Sequence, residues 1–107
     1  MPTYNKLVRN RIPDIIANSG KKHTTEILDD TRYIRELKKK LNEEVAEYQN
    51  AESDEEALEE LSDILELMTV LASIHGGSIE EIEQIRKVKA AKRGGFDDKI
   101  FLIDVED

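Results

Sequence analysis

The sequence predicts an all-α fold: a helical bundle with short extended segments at its N- and C-terminal ends, assembled as a homo-oligomer, within one domain spanning residues 1–107. Three observations predict it. Leu, Ile, Glu and Lys dominate and aromatic residues make up only 5%, a balance that favours helices over sheets. Two long stretches carry apolar residues at intervals of three and four, separated by a short polar break. The second of them is apolar nearly all round from Ile64 to Ile74, which a chain with three substantial helices cannot cover alone, so a second copy is expected to complete the burial.

The elements follow in order. Met1 to Arg11 is basic and irregular, with Lys6, Arg9 and Arg11 between apolar residues. Pro13 and Asp14 suit the first turn of a short helix through Ala17, ended by Asn18-Ser19-Gly20. This part of the chain reads as a lid or strap. Thr24 to Leu28 is β-compatible but too short to stand alone. Asp29, Asp30 and Thr31 offer N-caps for a helix whose apolar line runs through Ile34, Leu37, Leu41, Val45 and Tyr48. Lys38, Lys39 and Lys40 read as a solvated face. Asn50 to Asp54 breaks the pattern, Ser53 or Asp54 starts the next helix, and Gly76-Gly77 ends it after Ile74 or His75. Ser78 with Glu81 forms a capping box for the last helix, with Ile79, Ile82 and Ile85 on its apolar face and Gly94-Gly95 at its end. Lys99 to Val105 has the composition of a short strand that could lie beside Thr24 to Leu28.

Composition bounds the function. The formal net charge is -8, which disfavours non-specific attraction to nucleic acid or to an anionic membrane. There is no cysteine, which removes disulfides, thiolate metal sites and thiol nucleophiles together and fits a reducing compartment. The sequence has neither a leader-like apolar segment near Met1 nor a span long enough to cross a bilayer, so a cytoplasmic protein is expected.

The informative residue is Glu44. It lies on the apolar line of its helix, three residues after Leu41 and four before Tyr48, and a carboxylate on a core-facing line is costly unless it is paired, hydrogen-bonded or metal-bound. Glu47 follows one turn later; Glu60 and Asp63 repeat the spacing on the next helix. Acid pairs three apart are common in a chain with 24 Asp and Glu, since random placement gives about five. These two pairs differ in being symmetric about the turn near Ser53 and Asp54. An antiparallel hairpin therefore sets Glu44 opposite Asp63 and Glu47 opposite Glu60, while Glu60 and Asp63 continue an inward line through Leu67, Val70 and Ile74.

Four converging carboxylates repel one another unless a cation joins them. Oxygen-only ligands favour Mg²⁺, with Mn²⁺ as the alternative, over Zn²⁺ or Cu²⁺. The bland alternative is that these acids are solvated helix faces or pair with Lys and Arg. The apolar line of the last helix turns basic at Lys89 and Lys92, and with Arg93 these residues either bind phosphate oxygens or simply complement the helix C-terminus. An acidic metal site beside a basic phosphate site describes metal-assisted attack on a phosphoanhydride. His23 and His75 have no suitable partners in the sequence.

Glu44-Val45-Ala46-Glu47, twelve residues, then Glu60-Leu61-Ser62-Asp63 resembles the motif of the MazG-like all-α nucleoside triphosphate pyrophosphohydrolases. Lys6-Leu7-Val8-Arg9-Asn10-Arg11-Ile12-Pro13 and the run from Lys89 to Phe96 are similar to segments of its small single-domain, phosphoribosyl-ATP pyrophosphohydrolase-like branch. Asn10 departs from an expected Asp, and Arg11 replaces a Lys. The resemblance implies a MazG-like helical bundle that hydrolyses a nucleoside triphosphate to the monophosphate and pyrophosphate, in a role such as nucleotide-pool house-cleaning. It implies Mg²⁺ held by Glu44, Glu47, Glu60 and Asp63, phosphates steadied by Lys89, Lys92 and Arg93, and a water attacking the α-phosphorus. Glu43, beside the ligand pair, is the candidate base. A phosphoribosyl-ATP pyrophosphohydrolase, or a non-catalytic helical module that binds a nucleotide or a partner, are the alternatives. A homodimer or homotetramer is expected.

Overall fold

The computed structural model describes residues 2–107; Met1, part of the basic N-terminal stretch, lies outside the described residues. Four helices account for its regular structure: α1 Ile12–Asn18, α2 Asp30–Gln49, α3 Asp54–Ile74 and α4 Ile79–Arg93. Their ends are set by local chemistry. The Asp29 carboxylate accepts the Arg32 amide at 2.8 Å, the Ser53 hydroxyl accepts the Glu56 amide at 3.1 Å, and the Ser78 hydroxyl accepts the Glu81 amide at 3.2 Å. Each bond satisfies one of the donors a helix start leaves free. At the end of α3 the Gly77 amide reaches back to the Ala72 carbonyl at 2.8 Å and the Gly76 amide to the Ser73 carbonyl at 3.0 Å. This paired closure needs the left-handed backbone that Gly76 adopts at φ 75°.

The body is an α2–α3 hairpin, with α4 resting on α3 and making no contact with α2; α1 packs on none of the other helices. Leu37 from α2 and Ala72 from α3 are the buried apolar residues. The line Glu60, Asp63, Leu67, Val70 and Ile74 is half-buried, whereas Leu58, Leu61 and Leu65 on the outer side of α3 are exposed. The three- and four-residue intervals that join these leucines place them on one face of the helix. A shallow groove between α3 and α4, lined by Met68, Leu71, Ile82 and Ile85, leaves Ile85 exposed as well.

Neither expected strand forms. Among the described residues there is no strand; Thr24 to Leu28 and Lys99 to Val105 have no regular secondary structure, and Lys99 adopts a left-handed backbone at φ 63°. Ile27 is 97% exposed and Phe101 is 89% exposed. An isolated two-stranded pairing is marginal in water, and neither run meets an apolar surface to pack on.

The chain exposes 9882 Å², against about 6100 Å² for a folded monomer of this mass. Its radius of gyration is 18.5 Å, with principal extents of 62 × 35 × 26 Å, against about 13 Å for a compact chain of this length. The helices are well formed, but much of their apolar surface has no partner within the chain.

The energetic weight of the hairpin rests on few residues. Leu37→Ala should lower unfolding free energy by about 2–4 kcal/mol, and Ser53→Ala by about 1 kcal/mol through loss of the α3 cap, both read from urea unfolding followed by circular dichroism.

Candidate metal centre

Three of the four expected carboxylates meet. Glu44, Glu47 and Glu60 each offer an oxygen, and these oxygens lie within 4.8 Å of one another. The short connection from Asn50 to Ser53 folds α3 back on α2, and the one-turn separation of Glu44 from Glu47 aims both at Glu60 across the seam. Glu44 is 7% exposed, comparable to the core residue Ala72 at 6%. Lys40, one turn earlier on α2, approaches Glu44 Oε1 at 3.7 Å. Glu44 Oε2 and Glu60 Oε2 are buried and receive no hydrogen bond from any protein donor.

Two buried oxygens without donors require a proton or a cation. The pKa of the Glu60 carboxyl is pushed up from 4.5 to about 7. The largest cause is its hydrogen bond with Glu44, followed by burial, the hydrogen bond with Glu47 and the repulsion of both neighbouring carboxylates. The donor set is oxygen only, with one oxygen from each residue brought together between two helices. These residues fit a hard divalent cation such as Mg²⁺ or Mn²⁺.

Asp63 is placed differently from its three companions. It is half-buried on the same side of α3, but its Oδ1 accepts a hydrogen bond from Arg9 Nη2 at 2.7 Å. Arg9 lies in the irregular segment before α1, so this pairing could not be read from helix periodicity. The sequence carried one hint, the run of basic residues at Lys6, Arg9 and Arg11 in a chain otherwise rich in acids. Lys40 was likewise read as part of a solvated face, and it turns out to be the cation nearest the buried Glu44.

Glu43 is half-buried on α2 and shares a helix face with Glu47, but it is outside the three-acid cluster. Lys89, Lys92 and Arg93 stand exposed in the last turns of α4. Among the described residues they form no ion pair with the carboxylates; Arg86, one turn earlier, is held by Glu83.

Comparisons with known proteins add little chemistry. No family model matches the chain, and no solved structure matches it. An uncharacterized protein of Mycolicibacterium smegmatis is 44% identical over 54 residues, a match covering 50% of this chain and 55% of that protein. The chain thus spans about half the length of the relative it matches.

The raised Glu60 value has a thermodynamic consequence. Between about pH 4.5 and 7 the native chain keeps a proton that the unfolded chain has lost, so this group's contribution to stability falls as pH rises through that window. In the presence of a chelator, the melting temperature of the wild type should fall more between about pH 5 and 8 than that of Glu60→Gln, whose neutral amide keeps a donor towards Glu44 at every pH. Coincident profiles for the two proteins would show that the three carboxylates do not meet in solution.

Proposed function

We propose that this chain is a MazG-like nucleoside triphosphate pyrophosphohydrolase: an Mg²⁺-dependent hydrolase, with Mn²⁺ able to substitute, that cleaves a nucleoside triphosphate to the monophosphate and pyrophosphate. The observation that carries the reading is the convergence of Glu44, Glu47 and Glu60 on one point with two buried oxygens lacking donors. The sequence motif adds Asp63 as the fourth acid, one turn beyond Glu60.

Each group has a distinct task on this reading. Glu44, Glu47 and Glu60, joined by Asp63, hold the cation. When bound, Mg²⁺ supplies positive charge against the phosphate oxygens and lowers the barrier to phosphoanhydride cleavage. Glu43 orients the attacking water and takes its proton, and its place on α2 beside the ligand set suits that role. Lys89, Lys92 and Arg93 have no carboxylate partner in ion-pair range, so their donors are available to phosphate oxygens.

The functional unit is a homodimer or homotetramer. Its support is the exposed apolar face of Leu58, Leu61 and Leu65 on α3, together with an exposed area well above that of a folded monomer of this mass. Among the described residues no helix is long and apolar enough to cross a membrane, and the proposed substrate places the enzyme in the cytoplasm.

A panel of nucleoside triphosphates assayed with Mg²⁺ for pyrophosphate release tests the activity. Glu47→Gln should reduce turnover by at least about a hundredfold with helicity unchanged. Far faster turnover of phosphoribosyl-ATP than of any free triphosphate would assign the chain to that reaction, and no release from any substrate would leave a non-catalytic binding module. For the assembly, Leu61→Asp with Leu65→Asp should convert a sedimenting dimer or tetramer to a monomer, because two charges cannot be buried unpaired at an apolar interface.

A further inference from the structure

Arg9 is joined to Asp63 across 54 residues of sequence. Apart from the contacts that Glu60 makes with Glu44 and Glu47, every other side-chain hydrogen bond among the described residues spans four residues or fewer. The bond therefore ties the N-terminal segment to α3. It does so one turn from Glu60, beside the carboxylate cluster.

Three features of the contact argue against a purely structural clasp. Arg9 engages Asp63 through Nη2 alone at 2.7 Å, and its remaining guanidinium N–H groups have no protein acceptor among the described residues. The pair is open to solvent, with the Arg9 side chain 60% exposed and that of Asp63 37% exposed. An exposed single-point ion pair is weak and easily exchanged. Meanwhile the backbone beneath Arg9 is fixed, because its carbonyl accepts the Ile12 amide at 3.1 Å in the turn that begins α1. The segment thus presents a guanidinium with unused donors at a set place beside an acidic site.

We infer that Arg9 is a substrate-phosphate-binding residue that waits on Asp63 while the site is metal-free and passes to a phosphate oxygen of the substrate once Asp63 joins the cation. The inference rests on the proposed carboxylate metal site. Arg9 and the cation compete for the same carboxylate in the resting chain, whereas Arg9 and the cation act together on a bound polyphosphate. A guanidinium suits that second partner because its planar array of donors can hold two phosphate oxygens at once. A residue that only straps the N-terminal segment down would affect metal and phosphate binding in the same direction, or neither.

The test is calorimetric titration of the full chain with Mn²⁺ alone, and then with inorganic pyrophosphate in saturating Mn²⁺, for the wild type, Arg9→Gln, Arg9→Lys and Glu47→Gln. Arg9→Gln should bind Mn²⁺ about two- to fivefold more tightly than the wild type, because the competing ion pair is gone. It should bind pyrophosphate about tenfold or more weakly, because a charge-assisted contact is lost. Arg9→Lys should restore part of the pyrophosphate affinity. Unchanged or weaker Mn²⁺ binding in a helical Arg9→Gln protein overturns the inference, and so does unchanged pyrophosphate binding. If Glu47→Gln binds Mn²⁺ as well as the wild type does, the carboxylate site itself fails and the role of Arg9 falls with it. If Glu47→Gln loses Mn²⁺ while Arg9→Gln matches the wild type, the site stands and only the role of Arg9 is overturned.

Discussion

Glu44 occupies a seam position between two helices where an aliphatic residue would be expected, and its Oε2 has no donor to meet it. That constraint organises its neighbourhood. A buried carboxylate must be neutralised, protonated through a neighbour, or joined to a cation. Lys40 approaches only one of its oxygens, and at 3.7 Å the contact is an ion pair without a hydrogen bond. The other oxygen is buried without a donor, and Glu60 adds a second demand of the same sign. The α2–α3 hairpin therefore spends part of its small core on a repulsive arrangement. Such local conflict with good packing is where a functional position is expected.

Around this seam the molecule divides into a part that is finished and a part that is not. The hairpin has capped ends, one well-buried leucine and a defined register. Beyond it, α4 rests on the far half of α3, α1 lies apart, and Leu58, Leu61 and Leu65 face water. The difference follows from chain length. A domain of about this size buries a modest fraction of its surface, and here long amphipathic helices leave apolar stripes for which the chain has no opposing layer.

The parts legible in the sequence are those governed by period and by capping. Ser78 is read as a helix start, and the caps that form at Asp29 and Ser53 are among the alternatives the sequence offers, because each precedes a three- and four-residue apolar rhythm. The burial of Glu44 follows from its place between Leu41 and Tyr48, and the approach of Glu47 to Glu60 from their positions about the turn. Asp63 is different. Its expected place opposite Glu44 follows from the same register, but its partner is Arg9, on a segment with no period that joins α3 only through tertiary structure. The runs at Thr24 and Lys99 have strand composition, yet strand pairing is a property of two segments and a surface, and composition reports only one of the three. The positions of Lys89, Lys92 and Arg93 relative to the acids depend on how α4 crosses α3, which helical spacing does not encode.

The acids that meet all come from one hairpin, between Glu44 and Glu60, with a connection of only a few residues between the helices. Closing so short a loop costs little entropy, and contacts near in sequence form early. The carboxylate cluster thus rests on one local helix pairing, and none of its three acids comes from α1, α4 or the C-terminal segment. On the proposed metal-site reading, a cation that relieved this charge conflict would act on the seam between α2 and α3 itself.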